Sequence, residues 1–284
     1  MTDLAALLPR IERLLDRLAP PAAATGLDWK EVRAARWAAQ AGVLKPILHP
    51  QRVALRDLLQ IDEQKQRVDA NTRQFVAGRP ANNVLLTGAR GSGKSSLVKA
   101  IHAKYAPKGL RLIEVDKAGL GSLPDLFDLL AETDHRFIIF IDDLSFAEHE
   151  PGYASLKAAL DGSLAGPSDN VLIYATSNRR HLMPEYMADN LSTQYLGGEV
   201  QPGEAIEEKV SLSDRFGLWV SFHSMDQDTY LAIARHWANA LGAALDDSFE
   251  RAALQWSQGR GARNGRVAWQ FARDWAGRSR PGKR

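Results

Sequence analysis

The chain has 284 residues, 45% of them apolar and 25% charged, with a formal charge of +2 and no cysteine. That length fits one large domain or two modest ones, and the composition is that of a globular protein able to form a core, so disorder is not the default. The lack of cysteine excludes a disulfide framework, a thiolate zinc site and a cysteine nucleophile, and so small a charge does not by itself argue for nucleic acid.

Near the N-terminus, LAALLPRIERLLDRL sets Leu4, Leu7, Leu8, Ile11, Leu14, Leu15 and Leu18 on one stripe, which predicts an amphipathic helix. No basic flank followed by an apolar leader core precedes it, and the longest apolar strand-like run, FIIFI at 137–141, is too short to cross a bilayer. The chain is therefore read as cytoplasmic, without a membrane partner. APPAAATG breaks the first helix; DWKEVRAARWAAQ predicts a second, ending near Gly42 and the prolines of KPILHP. Residues 1–49 are thus expected to be a helical N-terminal extension.

From about Arg52 the pattern changes. Helical stretches alternate with short continuous apolar runs: VLLT at 84–87, LRLIEV at 110–115, FIIFID at 137–142, VLIYAT at 171–176 and WVSF at 219–222. Runs without polar alternation suit strands buried on both faces, so residues 50–222 are expected to form an α/β core, a parallel five-stranded sheet with helices on both faces. Three helical segments follow, DQDTYLAIARHWANAL, DSFERAALQWSQ and NGRVAWQFARDWAG, making 223–284 a small helical domain with a basic tail. From Gly259 onward Arg260, Arg263, Arg266, Arg273, Arg278, Arg280, Lys283 and Arg284 face a single acid, Asp274. A solvated tail is the simpler reading, with contact to DNA phosphates left open.

The first run leads into Gly88-Ala89-Arg90-Gly91-Ser92-Gly93-Lys94-Ser95-Ser96, which fits G-x-x-x-x-G-K-[ST] at every fixed position. Glycines let backbone N–H groups close around phosphate oxygens, and the helix beginning there aims its positive end at the same anion. Lys94 would then reach the β- and γ-phosphates, and the Ser95 hydroxyl would ligate Mg²⁺. FIIFIDDL delivers two carboxylates to the C-terminal edge of the sheet, where Asp142 is the candidate metal ligand and Asp143 the candidate to polarise the attacking water. VLIYATSN ends in Asn178, a neutral amide able either to bond the γ-phosphate or to orient that water. Arg215, before the last strand, and Arg266, opening the last helix, are candidates to stabilise transition-state charge; each also suits a surface ion pair, Arg215 with Asp214 or a nearby acid.

This order of motifs resembles that of AAA+ ATPases, in which they correspond to Walker A, Walker B, sensor 1, the arginine finger and sensor 2, with the helical tail as the nucleotide lid. DLLQIDEQK at 57–65 is similar to the segment lying over the adenine in that family, which makes Leu59 to Asp62, Leu59 and Ile61 among them, candidate base contacts. The resemblance spans about Arg52 to Gly277 and leaves 1–49 outside. NNVLLTGARGSGKSSLVKA, FIDDLSF, YATSNRRHLMPE, EEKVSLSDRFGLWVSF and RGARNGRVAWQF look more specifically like a bacterial family of predicted AAA+ ATPases classed as a domain of unknown function (number 815).

Most AAA+ motors end Walker B in Asp-Glu, whereas this chain has Asp142-Asp143. A carboxylate one methylene short sits further from its water, and misplacement on the ångström scale costs on the order of a hundredfold in rate, so slow hydrolysis is expected. FIDDLSF and SDRFGL also resemble the initiator and helicase-loader branch, which uses ATP as an assembly switch. DKAGLGSLPD lacks the aromatic of a threading pore loop, no Asn-Lys-x-Asp motif marks a GTPase, and a small-molecule kinase would leave Asn178, Arg215 and Arg266 without a joint explanation. The expectation is an Mg-ATP-dependent ATPase of low turnover, coupled to assembly or remodelling of a protein partner the residues do not identify. The alternative is a non-motor switch acting on DNA or a DNA-associated protein. Arg215 acting in trans would require a homo-oligomer, and Arg263 is the alternative to Arg266 in the lid.

Overall fold

The computed structural model describes residues 27–51, 53–146, 151–161, 169–178, 194–196, 199–201 and 212–279. The helix expected over 4–18 and the basic residues from Arg280 onward lie outside them. In chain order the strands are β1 (Ala34–Ala38), β2 (Val43–Pro46), β3 (Val84–Gly88), β4 (Leu110–Glu114), β5 (Arg136–Ile141), β6 (Val171–Ser177), β7 (Gln194–Leu196), β8 (Glu199–Gln201) and β9 (Leu218–Phe222). The helices are α1 (Asp62–Val76), α2 (Lys94–Tyr105), α3 (Leu123–Ala131), α4 (Pro151–Asp161), α5 (Gln227–Ala240), α6 (Phe249–Gly259) and α7 (Gly265–Ser279). Among the described residues no helix is long and apolar enough to cross a membrane.

All five expected strands form and lie parallel, in the order β4, β5, β6, β3, β9. Successive side chains of a strand point to opposite faces, so a continuous apolar run feeds two cores at once. Leu85, Ile113, Phe137, Ile139 and Ile173 pack on α3 and α4, while Val84, Leu86, Ile138, Phe140 and Tyr174 pack on α1 and α2. Helices α5 to α7 enclose a third, separate core around Tyr230, Phe249 and Phe271.

The sheet has seven strands rather than five, and the helix expected from DWKEVRAARWAAQ is absent. Its centre is β1, which runs parallel to β4 and turns through Gly42 into the antiparallel β2 at the sheet edge. The alanine-rich stretch favours a helix locally, but non-local pairing overrides that preference. Ala34 and Ala35 are fully buried against β4, the Trp37 indole donates to Ser122 Oγ at 2.8 Å, and Arg36 pairs with Glu114 across the strands. Residues 34–46 are therefore part of the sheet and not of a helical extension.

His102, on α2, helps hold this added edge: its Nε2 lies 2.9 Å from the Arg33 carbonyl oxygen. Burial pushes its pKa from 6.5 down to about 4, so the folded state holds the imidazole neutral where the unfolded chain would protonate it. The folded pKa lies below the unfolded one. The contribution of this group is therefore complete above about pH 6.5 and falls away toward pH 4, by about 3 kcal/mol in all. Urea unfolding across that range should show a shallower pH slope in His102→Gln than in wild type; equal slopes would exclude His102 as the source.

Candidate functional site

Three parallel strands bring the motifs to one sheet edge. β6 lies between β3 and β5, so the phosphate-loop strand and the Asp-Asp strand stand about 10 Å apart with the Asn178 strand between them. The loop leaves β3 at Gly88, where φ is +131° and a Cβ would come within 2.0 Å of the Phe222 carbonyl oxygen. No other residue fits that pairing with β9.

Lys94 is the first residue of α2 and is only 6% exposed. Its ammonium donates to the carbonyls of Gly88 (2.6 Å) and Ala89 (2.9 Å) and to Asn178 Oδ1 (3.0 Å), all of them uncharged acceptors. Burial pushes the Lys94 pKa down; the Asp142 and Asp143 carboxylates oppose that shift, and the Arg266 and Arg90 guanidiniums reinforce it. A nearly buried cation bonded only to neutral groups, within a loop of backbone amides, suits an incoming anion. The Ser92 hydroxyl in the same loop is buried with no hydrogen-bond partner among the described residues, a further vacancy a phosphate oxygen can fill. Ser96, in the first turn of α2, is half-buried.

Asp142 Oδ1 accepts from the Ser95 hydroxyl and from the Thr176 hydroxyl, each at 2.6 Å. Thr176 in turn accepts from the Asp143 backbone N–H at 3.0 Å, so one hydroxyl on β6 holds the Asp142 carboxylate and the Asp143 backbone just beyond β5. Asp143 has φ +54°, and the Asn178 amide donates to its Oδ1. Asn178 thereby bridges Lys94 and Asp143. Arg90 comes within 4.0 Å of Asp143 Oδ2, but both side chains are mostly exposed, so this pair contributes little. Ser95 and Asp142 supply hard oxygen donors of the kind Mg²⁺ takes alongside water and phosphate. No group of three or more His, Asp or Glu gathers among the described residues.

Of the expected base contacts, Ile61 is buried, with its Cδ1 3.7 Å from where a Cβ on Gly93 would stand, and Leu59 packs against the core of α5 to α7. His236 of α5 meets Asp57 at 3.2 Å, closing the same junction. A cavity of about 1020 Å³ lies elsewhere, against the C-terminal half of α2, and is lined by Ile47, Leu48, Leu55, His102 and Lys104 but by no phosphate-loop residue.

The two arginines divide. Arg266 is exposed in the first turn of α7, close enough for its charge to act on Lys94. Arg215 precedes the N-terminal end of β9, whereas Gly88 pairs with the C-terminal end, so about 16 Å of strand separates Arg215 from its own phosphate loop. It is paired instead with Asp161, the last residue of α4.

Three parts of this arrangement were missed in the sequence. Thr176 stands two residues before Asn178, a spacing that puts it on the same strand face and could have flagged it. Asp161 as the partner of Arg215, and Asn264 and Gly265 against the phosphate loop, depend on tertiary packing and left no local signal.

The family model described as "Protein of unknown function (DUF815)" matches residues 30–279. No curated protein matches the chain. Among solved structures, a mutant of Thermotoga maritima RuvB aligns at 15% identity and TM-score 0.53, covering 78% of this chain and 63% of that one. The Aeropyrum pernix Orc1 protein in complex with DNA aligns at 16% identity and TM-score 0.54, covering 79% and 64%. The chain thus spans under two thirds of the length of each. The fold is that of the AAA+ P-loop NTPases.

Proposed function

The chain belongs to the family described as protein of unknown function DUF815, and on that premise, with the geometry of the site, we propose that it is a slow Mg-ATP-dependent ATPase. The observation that carries this reading is Lys94, a nearly buried cation donating only to neutral acceptors and set one residue before the Ser95–Asp142 pair. ATP binds between the α/β core, to which β1 and β2 belong, and the lid that begins after Phe222: Gly88 to Ser96 hold the phosphates, and Leu59 and Ile61 meet the base. Ser95 and Asp142 take Mg²⁺, which supplies charge neutralisation across the phosphates. Asp143 accepts the proton of the attacking water, Asn178 senses the γ-phosphate, and Arg266 reaches it from the lid.

Arg215 stands before the end of β9 opposite to its own phosphate loop and pairs with Asp161, and this supports completion of the site by a neighbouring copy. The protein then self-associates in ATP, and nucleotide state governs assembly on, or remodelling of, a protein partner inside the cytoplasm. A second reading is a non-motor switch on DNA or a DNA-associated protein. It is favoured by Asp143, whose carboxylate is already engaged by Asn178, and by the likeness to an Orc1 protein whose structure is described as a complex with DNA.

Mg-ATP titration followed by hydrolysis over a range of protein concentrations tests both readings. Specific activity should rise with concentration in wild type and lie at least tenfold lower in Arg215→Ala. Asp161→Ala, which breaks the same exposed ion pair, should keep wild-type activity. If Arg215→Ala hydrolyses normally, the shared site is wrong; if ATP binds and shifts the mass while hydrolysis stays at background, the switch reading stands.

A further inference from the structure

The start of α7 touches the phosphate loop through two residues that none of the motif roles uses. The Gly265 N–H donates to the Gly91 carbonyl at 3.0 Å, and Asn264 lies so close that a Cβ on Gly91 would stand 2.6 Å from its Cγ and Oδ1. Gly91 has φ +76° and is not a fixed position of the G-x-x-x-x-G-K-[ST] pattern, so the lid contact is a second reason for glycine there. Asn264 also accepts from the Val267 N–H at 2.9 Å, capping α7 and fixing the direction in which that helix leaves the loop.

We propose that Asn264 and Gly265 form a clasp that ties the lid to the phosphate loop, so that phosphate binding and the placement of the sensor helix are one event. This rests on the ATP reading of the same site. The physical link is one peptide plane. In a trans peptide the C=O and the following N–H point in opposite directions, so holding the Gly91 carbonyl toward Gly265 turns the Ser92 N–H toward the inside of the loop. There it meets only the Ala89 carbonyl, at 3.4 Å, a long bond readily given up to a phosphate oxygen. The lid therefore presets a donor of the phosphate cradle. By reciprocity, a phosphate that pulls on that N–H tightens the clasp and holds Arg266, one residue beyond Gly265, over the site. Asn264 and Gly265 are positioning residues in this scheme.

The test compares two substitutions at Gly265, whose φ is not positive. Either side chain brings a Cβ within 3.3 Å of the Gly91 oxygen, but alanine keeps the N–H and proline removes it. Proline is well tolerated at the first position of a helix, so α7 should persist, which circular dichroism checks. Gly265→Pro should bind Mg-ATP about tenfold more weakly than Gly265→Ala and lose turnover by a larger factor than Arg266→Ala alone leaves it, while Gly265→Ala stays within threefold of wild type. Equal affinity of the two variants with α7 intact would overturn the clasp. Hydrogen exchange in nucleotide-free wild type separates this failure from that of the ATP reading. A Gly265 amide protected at least tenfold shows the lid-to-loop bond even if no nucleotide binds, so that the failure then lies with the ATP reading, and an unprotected one overturns the clasp even if ATP binds.

Discussion

Lys94→Ala will bind Mg-ATP at least about a hundredfold more weakly than wild type, while remaining at least as resistant to denaturant. The affinity loss follows from the number of bonds at stake. The ammonium makes three hydrogen bonds to Gly88, Ala89 and Asn178, and phosphate oxygens would take these donors over as charge-assisted bonds worth about 1.5–3 kcal/mol each. The stability half has the opposite origin. A lysine only 6% exposed is held charged against a desolvation cost that pushes its pKa down, and alanine removes that cost. Lys94→Arg should not restore binding, because a planar guanidinium does not fit the space of a compact ammonium between two loop carbonyls. Calorimetric titration with Mg-ATP, paired with urea unfolding, checks both halves. Affinity within threefold of wild type would remove the phosphate-loop reading altogether.

Asp143→Asn should keep ATP affinity within about threefold and lower turnover at least about a hundredfold, the scale on which a positioned proton acceptor acts. The substitution is close to a pure change of charge: asparagine is tolerated at φ +54° as aspartate is, and its side chain is the same length. The same dihedral explains the Asp-Asp ending. A short carboxylate is favoured in the left-handed region, whereas longer side chains meet a cost of roughly 1 kcal/mol or more there. Asp143→Glu should therefore destabilise the fold slightly and fail to speed hydrolysis. A faster Asp143→Glu enzyme would show that reach, and not backbone geometry, limits turnover.

The two parts of the molecule differed in how far their sequence disclosed them. Continuous apolar runs such as Phe137 to Ile141 are buried on both faces, and their strand character is written locally. The stretch around Ala34 to Ala38 carries no such mark: its strand state comes from pairing with Leu112 to Glu114, more than seventy residues away, and its local preference points to a helix. The site behaves alike. Lys94, Ser95, Asp142, Asp143 and Asn178 stand at the ends of recognisable strands or at the start of a helix, so topology alone brings them together. Thr176, Asp161 and Asn264 act through contacts that only the folded chain makes.

The lid meets the rest of the protein at described places of different strength: through Phe222, where its chain leaves the sheet beside Gly88; through Gly265 on Gly91; and through His236 on Asp57, beside which Leu59 packs against the core of α5 to α7. The first is continuous chain and the second a bond between two backbones, whereas the third joins two partly exposed side chains, 29% and 24% accessible, and is the easiest to part. Once it and the Leu59 contact part, the remaining two define an axis at the phosphate end of the cleft about which the lid can turn. Such a swing opens the base end and leaves the phosphate end shut, so a nucleotide would enter and leave through the side where Leu59 and Ile61 stand.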